Sequence, residues 1–113
     1  MMARFHYHSE SDSLIIANKA EGEKVKRNFM FDDFIISISS GGKILAIEIR
    51  EASVLLKQMG INPSILKILE DAKLIVIPKK DFIYIGFVLL YKADNKLVEQ
   101  KIPITHLPVP VSN

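Results

Sequence analysis

The stretch Asp33-Phe-Ile-Ile-Ser-Ile-Ser-Ser-Gly-Gly-Lys-Ile-Leu-Ala-Ile-Glu-Ile-Arg50 decides the fold of this chain. Phe34, Ile36 and Ile38 alternate in its first half, and Leu45, Ile47 and Ile49 in its second, as two half-buried strands require. Gly41 and Gly42 stand between them, where a tight primed turn needs positive φ, and Ser39, Ser40 and Lys43 keep that turn hydrated. The prediction is a β-hairpin over 33–50. It carries no nucleophile, metal cluster or phosphate-binding loop.

Working back from the hairpin, Ala3-Arg-Phe-His-Tyr-His8 alternates with Phe5 and Tyr7 on one face and Arg4, His6 and His8 on the other. A serine-rich loop, Ser9 to Ser13, leads to the apolar run Leu14–Ala17. After a break at 18–22, Val25, Phe29 and Phe31 oppose Lys24, Lys26 and Asn28, with Arg27 mismatched on the apolar side. These segments predict a five-stranded antiparallel meander in which each strand pairs with the next.

Forward from the hairpin the period changes. Ala52, Leu55, Leu56 and Met59 recur at helical spacing, and Gly60 stands at a left-handed cap. Asn62-Pro63 opens a second short helix whose buried side is Ile65, Leu66, Ile68 and Leu69. Strands return at Leu74–Ile77, Phe82–Tyr91 and Leu97–Ile104, the last two joined as a hairpin through Lys92-Ala-Asp-Asn95. The prolines of His106-Leu-Pro-Val-Pro-Val111 predict a tail lying extended on a surface or loose. The fold class is α+β, a single domain over 1–113: a mainly antiparallel sheet from a β-meander and a C-terminal β-hairpin, with two short helices mid-chain.

The chain has 113 residues, 49% hydrophobic and 25% charged, which fits a folded domain and opposes disorder. The absence of cysteine excludes disulfides, thiolate metal sites and a cysteine nucleophile, and suits a reducing cytoplasm. The longest apolar run, Phe82 to Tyr91, is half of the roughly 20 residues a membrane-spanning helix needs. Abundant lysine, glutamate and isoleucine is a bias of proteins from hot environments. A net charge of +2 implies no polyanion partner without clustering, and the cluster Lys19, Lys24, Lys26, Arg27 is interrupted by Glu21, Glu23, Asp32 and Asp33.

Two segments, Tyr7-His-Ser-Glu-Ser-Asp-Ser-Leu-Ile-Ile16 and Asp33 through Glu51-Ala-Ser53, together resemble the domain-of-unknown-function family 2283, small prokaryotic proteins. Glu10, Asp12, Gly42, Ile47, Glu48, Ile49, Ala52 and Ser53 match its pattern of tyrosine, acidic loop, aspartate, apolar pair, strand, glycine turn and Gly-Ile-Glu-Ile leading into Ala-Ser. The family's acidic turn is replaced here by Ser37, Ser39 and Ser40, and its glycine before Ile-Glu-Ile by Ala46. The resemblance covers the first half of the chain. It implies no established activity; some members resemble antitoxin-side neighbours of small toxins.

The functional expectation is therefore a small binding or protein-interaction module, antitoxin-like, that forms a homodimer and needs no cofactor. Its rivals are a weak nucleic-acid binder and a small metal-dependent or acid–base enzyme. Glu48, matched to the family glutamate, interrupts a strand and needs water or a partner such as Lys43 or Arg27. Lys24, Lys26 and Arg27 near Phe5, Tyr7, Phe29 and Phe31 are the elements of a nucleic-acid surface. His6 and His8 could share a metal with Glu10 or His106, although paired histidines on a wet strand face are ordinarily solvated. Glu10, Asp12, Asp32 and Asp33 could pair as acid and base, but turn capping explains them better and no residue is assigned as catalytic. Phe82–Tyr91 is apolar on both faces, so Val88 and Leu90 are the predicted interface.

Overall fold

The computed structural model describes residues 4–18 and 24–108, the last four as backbone alone. The elements are β1 (Phe5–His8), β2 (Ser13–Ala17), β3 (Val25–Phe31), β4 (Phe34–Ser39), β5 (Ile44–Arg50), α1 (Ala52–Gln58), a 3₁₀ turn (Pro63–Lys67), β6 (Leu69–Pro78), β7 (Phe82–Ala93) and β8 (Lys96–Pro108). Two antiparallel sheets result, ordered β1-β2-β5-β4-β3 and β6-β7-β8.

The β4–β5 hairpin forms as its alternation requires, with Phe34, Ile36, Ile38, Ile47 and Ile49 buried. Its turn differs from the expected primed pair. The Gly42 amide donates to the Ser39 carbonyl, the Ser39 amide donates to the Lys43 carbonyl, and only Gly42 of the two glycines has positive φ. That is a three-residue loop closed by one left-handed glycine. The register also shifts: Ile38 faces Ile44 and Ser37 faces Ala46, so Leu45 is the extra residue of a bulge. Ile44 thereby joins Ile47 and Ile49 in the core cluster, while Leu45 is buried outside it.

A bulge also resolves the misfit in β3. Val25 pairs with Ser39 and Arg27 with Ile38, so Lys26 is the unpaired residue. Arg27 therefore shares the core-side face with Phe29 and Phe31, and Val25, predicted on that face, turns away and is exposed. Arg27 stays in water because β3 is an edge strand. The meander exists as β3-β4-β5. The expected pairing of β2 with β3 does not: β2 lies against β5, from Ser13 opposite Arg50 to Ala17 opposite Ala46, so the β1–β2 hairpin closes the other side of the sheet. The apolar pair Leu14 and Ile16 gains more by lying beside fully buried Ile47 and Ile49 than beside an exposed edge.

Helix α1 ends as predicted. The Ile61 amide reaches the Leu56 carbonyl and the Gly60 amide the Lys57 carbonyl, with Gly60 at positive φ, the paired bonds of a left-handed C-cap. The second predicted helix is instead a 3₁₀ turn. Asn62 caps it by accepting the Ser64 amide, and Ile65 and Leu66 are buried, but Ile68 is exposed and Leu69 already begins β6. Five residues cannot repay helix nucleation, and the chain passes into β6, whose later half carries the β-branched run Ile75-Val-Ile77.

The three later strands are longer than their apolar runs. Asp94 and Asn95, both at positive φ, make the two-residue turn between β7 and β8, with Ala93 opposite Lys96. Strand β8 continues through His106, Leu107 and Pro108 opposite Tyr84, Ile83 and Phe82, so this part of the tail, expected extended on a surface or loose, joins a ladder; an outer strand tolerates Pro103 and Pro108 because one of its sides has no ladder to supply. Residues 109–111 of that predicted tail lie outside the described residues. Alternate residues of β7, Ile85, Phe87, Leu89 and Tyr91, face Leu14, Ile16, Ile36, Ile47, Leu56 and Leu66 in one continuous core. Every buried side chain among the described residues is apolar. Each large one contributes about 2 kcal/mol by leaving water.

Candidate functional site

The densest polar constellation gathers around Asp12, in the β1–β2 turn. Its carboxylate accepts the Tyr7 hydroxyl at 2.7 Å, the Ser53 amide at 3.0 and 3.2 Å, and the Ser53 hydroxyl at 2.6 Å. The Asp12 carbonyl accepts the Ala52 amide at 3.0 Å. Glu51, the residue before α1, is left-handed with φ 53° and caps nothing with its side chain. Asp12 therefore supplies from another loop the acceptor that a helix start needs.

Burial raises the Asp12 pKa, but bonds from the Ser53 hydroxyl, Tyr7 and the Ser53 amide, with Lys57 nearby, outweigh it and hold the carboxyl below its usual value. Tyr7 is pushed up to about 12 by burial and by its bond to Asp12. Such a tyrosine keeps its proton at neutral pH, and the Ser53 hydroxyl donates to a carboxylate and not to a histidine or lysine nitrogen. The arrangement joins a loop to a helix. Sequence reading placed Asp12 in its turn but missed Tyr7 and Ser53 as its partners. The available signal was Glu51-Ala52-Ser53, a helix start with no short polar residue in the cap position.

Two of the other suspected carboxylates, Asp32 and Asp33, line a cleft of about 500 Å³ together with Phe34, Ile49, Arg50, Glu51, Val54, Leu55 and Gln58. Asp32 has φ 50° in the β3–β4 turn, and the Asp33 carbonyl accepts the Arg50 amide at 2.8 Å. Asp32, Asp33 and Glu51 are exposed, so the cleft lacks the dry environment that separates an acid from a base. Glu10 is exposed in the β1–β2 loop, away from that cleft's lining.

His6 and His8 stand side by side, ring centroids 4.0 Å apart and edge to face, both exposed. No group of three or more metal-ligating side chains occurs among the described residues. The expected third ligand His106 lies outside the described side chains. Glu48 falls in a cross-strand row, His6-Ile15-Glu48-Ile35-Met30, on the face away from the core and is half-buried. Arg27, proposed as its partner, is on the opposite face beside Ile38. Lys24, Lys26 and Arg27 are exposed, but the bulge at Lys26 breaks the alternation that would align them, and Lys19 lies outside the described residues.

The outer face of the second sheet has a different character. Ile75, Ile77, Tyr84, Val88, Leu90 and Leu97 all point away from the core. Ile77 is 42% and Leu97 62% exposed. Val88 is 7% exposed although it is no part of the core cluster, because it stands between Lys73 and Lys101 in the central strand. Across Gly86 the Tyr84 ring folds over the strand, its hydroxyl 3.3 Å from where a glycine-replacing Cβ would stand.

No family model, curated protein or solved structure matches this chain. No helix among the described residues is long and apolar enough to cross a membrane.

Proposed function

We propose that this protein is a binding module that acts by associating with other protein chains, in the manner of an antitoxin-side component. The observation that carries this reading is the outer face of β6-β7-β8, where Ile75, Ile77, Tyr84, Val88, Leu90 and Leu97 turn away from the core and Ile77 and Leu97 are exposed. The polar constellation around Asp12 has a structural task, and the Asp32–Glu51 cleft is lined by exposed carboxylates. Tyr7, Asp12, Ala52 and Ser53 meet at one loop-to-helix junction, which this reading takes as structural support for the module.

The test is co-expression of the full chain with the product of each flanking gene, followed by light scattering of the purified material. Association predicts an assembly of fixed stoichiometry, of the chain with itself or with one neighbour. A lone chain under every condition, or sequence-specific nucleic-acid binding that persists at physiological salt, contradicts it.

A further inference from the structure

We infer that a second copy of this chain covers the outer face of β6-β7-β8, about a two-fold axis running across the strands between Val88 and Leu90. This rests on the protein-association reading and names its partner and geometry.

The register carries the argument. Lys73, Val88 and Lys101 form one cross-strand row, and Asp71, Leu90 and Glu99 form the next. A row with two positive charges therefore lies beside a row with two negative ones, each centred on an aliphatic side chain. Turning a second copy about an axis parallel to these rows sets Lys73 against the partner's Asp71, Lys101 against the partner's Glu99, and Val88 against the partner's Leu90. The same operation lays exposed Leu97 over the partner's Pro103. An axis along the strands would instead set Lys73 against the partner's Lys101, two like charges in apposition. The charge pattern thus favours the axis across the strands over the axis along them.

Within one chain the ion pairs of these charges are loose, although Asp71 Oδ1 also accepts the Ala72 amide at 2.8 Å. Lys101 meets Glu99 at 3.9 Å and Arg4 meets Asp71 at 3.7 Å, with partners that are one-third to three-quarters exposed. Such pairs contribute little and exchange readily for contacts across an interface. Three strands at about 4.8 Å spacing and about ten residues in length give a face of roughly 14 by 35 Å, about 500 Å² in projection. Side-chain relief raises this toward the roughly 600 Å² per partner at the low end of specific interfaces, so the dimer is expected in the micromolar range.

Sedimentation velocity on the full chain, from about one to several hundred micromolar, tests the inference. Wild type is expected to pass from 12.8 kDa to twice that mass. Lys101→Glu and Glu99→Lys are each expected to weaken the dimer about tenfold, and the double swap to restore it. Both side chains are exposed, so a thermal melt should show folding intact. A monomer at every concentration, a dimer indifferent to the swaps, or one tightened by Lys101→Glu overturns the inference. A monomer that still binds a neighbouring gene product sinks this geometry while leaving the association reading intact; failure of both sinks both.

Discussion

Asp12 and Ser53 meet through three hydrogen bonds, although 41 positions separate them in the chain. The pair fastens the β1–β2 turn to the first turn of α1. Because Asp12 is itself left-handed, at φ 54°, it combines a cap with a turn that few other residues could make.

Asp12→Ala removes the cap and the Tyr7 bond and puts a Cβ-bearing residue without local compensation at positive φ. The expected cost is about 3 kcal/mol. Asp12→Asn tolerates the conformation and keeps one acceptor, so it should cost less than half as much. Urea unfolding of the two variants measures the difference; equal losses would contradict a capping role.

Stability should depend on pH at both extremes. Asp12 has a lowered folded-state pKa, so its contribution is complete above the unfolded value near 3.8 and is lost as pH falls through the folded one. Tyr7 has a raised one, so its contribution is complete below 10.0 and is lost as pH climbs toward about 12. Tyr7→Phe should flatten the alkaline limb and cost about 1 kcal/mol at neutral pH. Melting temperatures across the pH range read both limbs, and an unchanged alkaline limb in the variant would refute the assignment.

Glu51 holds a left-handed backbone without a side-chain bond in return. Glu51→Gly is expected to stabilise the protein by up to about 1 kcal/mol, the strain relieved exceeding the added freedom of the unfolded chain. A drop in melting temperature would show that Glu51 has another role in the cleft.

Gly86→Ala should destabilise by about 1 kcal/mol even though alanine ordinarily suits a strand better than glycine. The new Cβ would stand 3.0 Å from the Ile102 carbonyl oxygen and 3.3 Å from the Tyr84 hydroxyl. The tyrosine can swing aside; the Ile102 backbone, anchored by a side chain that is 1% exposed, cannot. Calorimetry decides, and a neutral result would mean that β8 gives way where its register shifts, between Pro103 opposite Gly86 and Thr105 opposite Ile85.

Local pattern was enough for the 33–50 hairpin, α1 with its glycine cap, and the β7–β8 hairpin, because each is set by alternation or spacing within a few residues. It failed for the facing of individual side chains at two inserted residues. The bulges at Lys26 and Leu45 move side chains between faces without altering the residues' chemistry, so strict alternation put Val25 on the wrong side. It failed also for β2, whose choice of β5 over β3 depends on which strand is buried, a tertiary fact. The Asp12 junction was half-legible: the aspartate announced a turn, and only the fold brought Ser53 to it. Because β7 is apolar on both sides, alternation set Val88 and Leu90 apart from Ile85, Phe87 and Leu89, and only the fold shows which set faces the core.

The exchange of neighbours by β2 bears on how the chain assembles. β3, β4 and β5 are joined by short turns and can zip together locally, whereas β2 finds β5 only after everything from residue 18 to residue 45 has been drawn into a loop. The entropy of closing that loop is met before any of the Leu14 and Ile16 contacts is formed. The meander is thus the place for a folding nucleus, with the first hairpin arriving late. Mutations in β4 should slow refolding, whereas those in β2, or at Asp12 itself, should chiefly hasten unfolding.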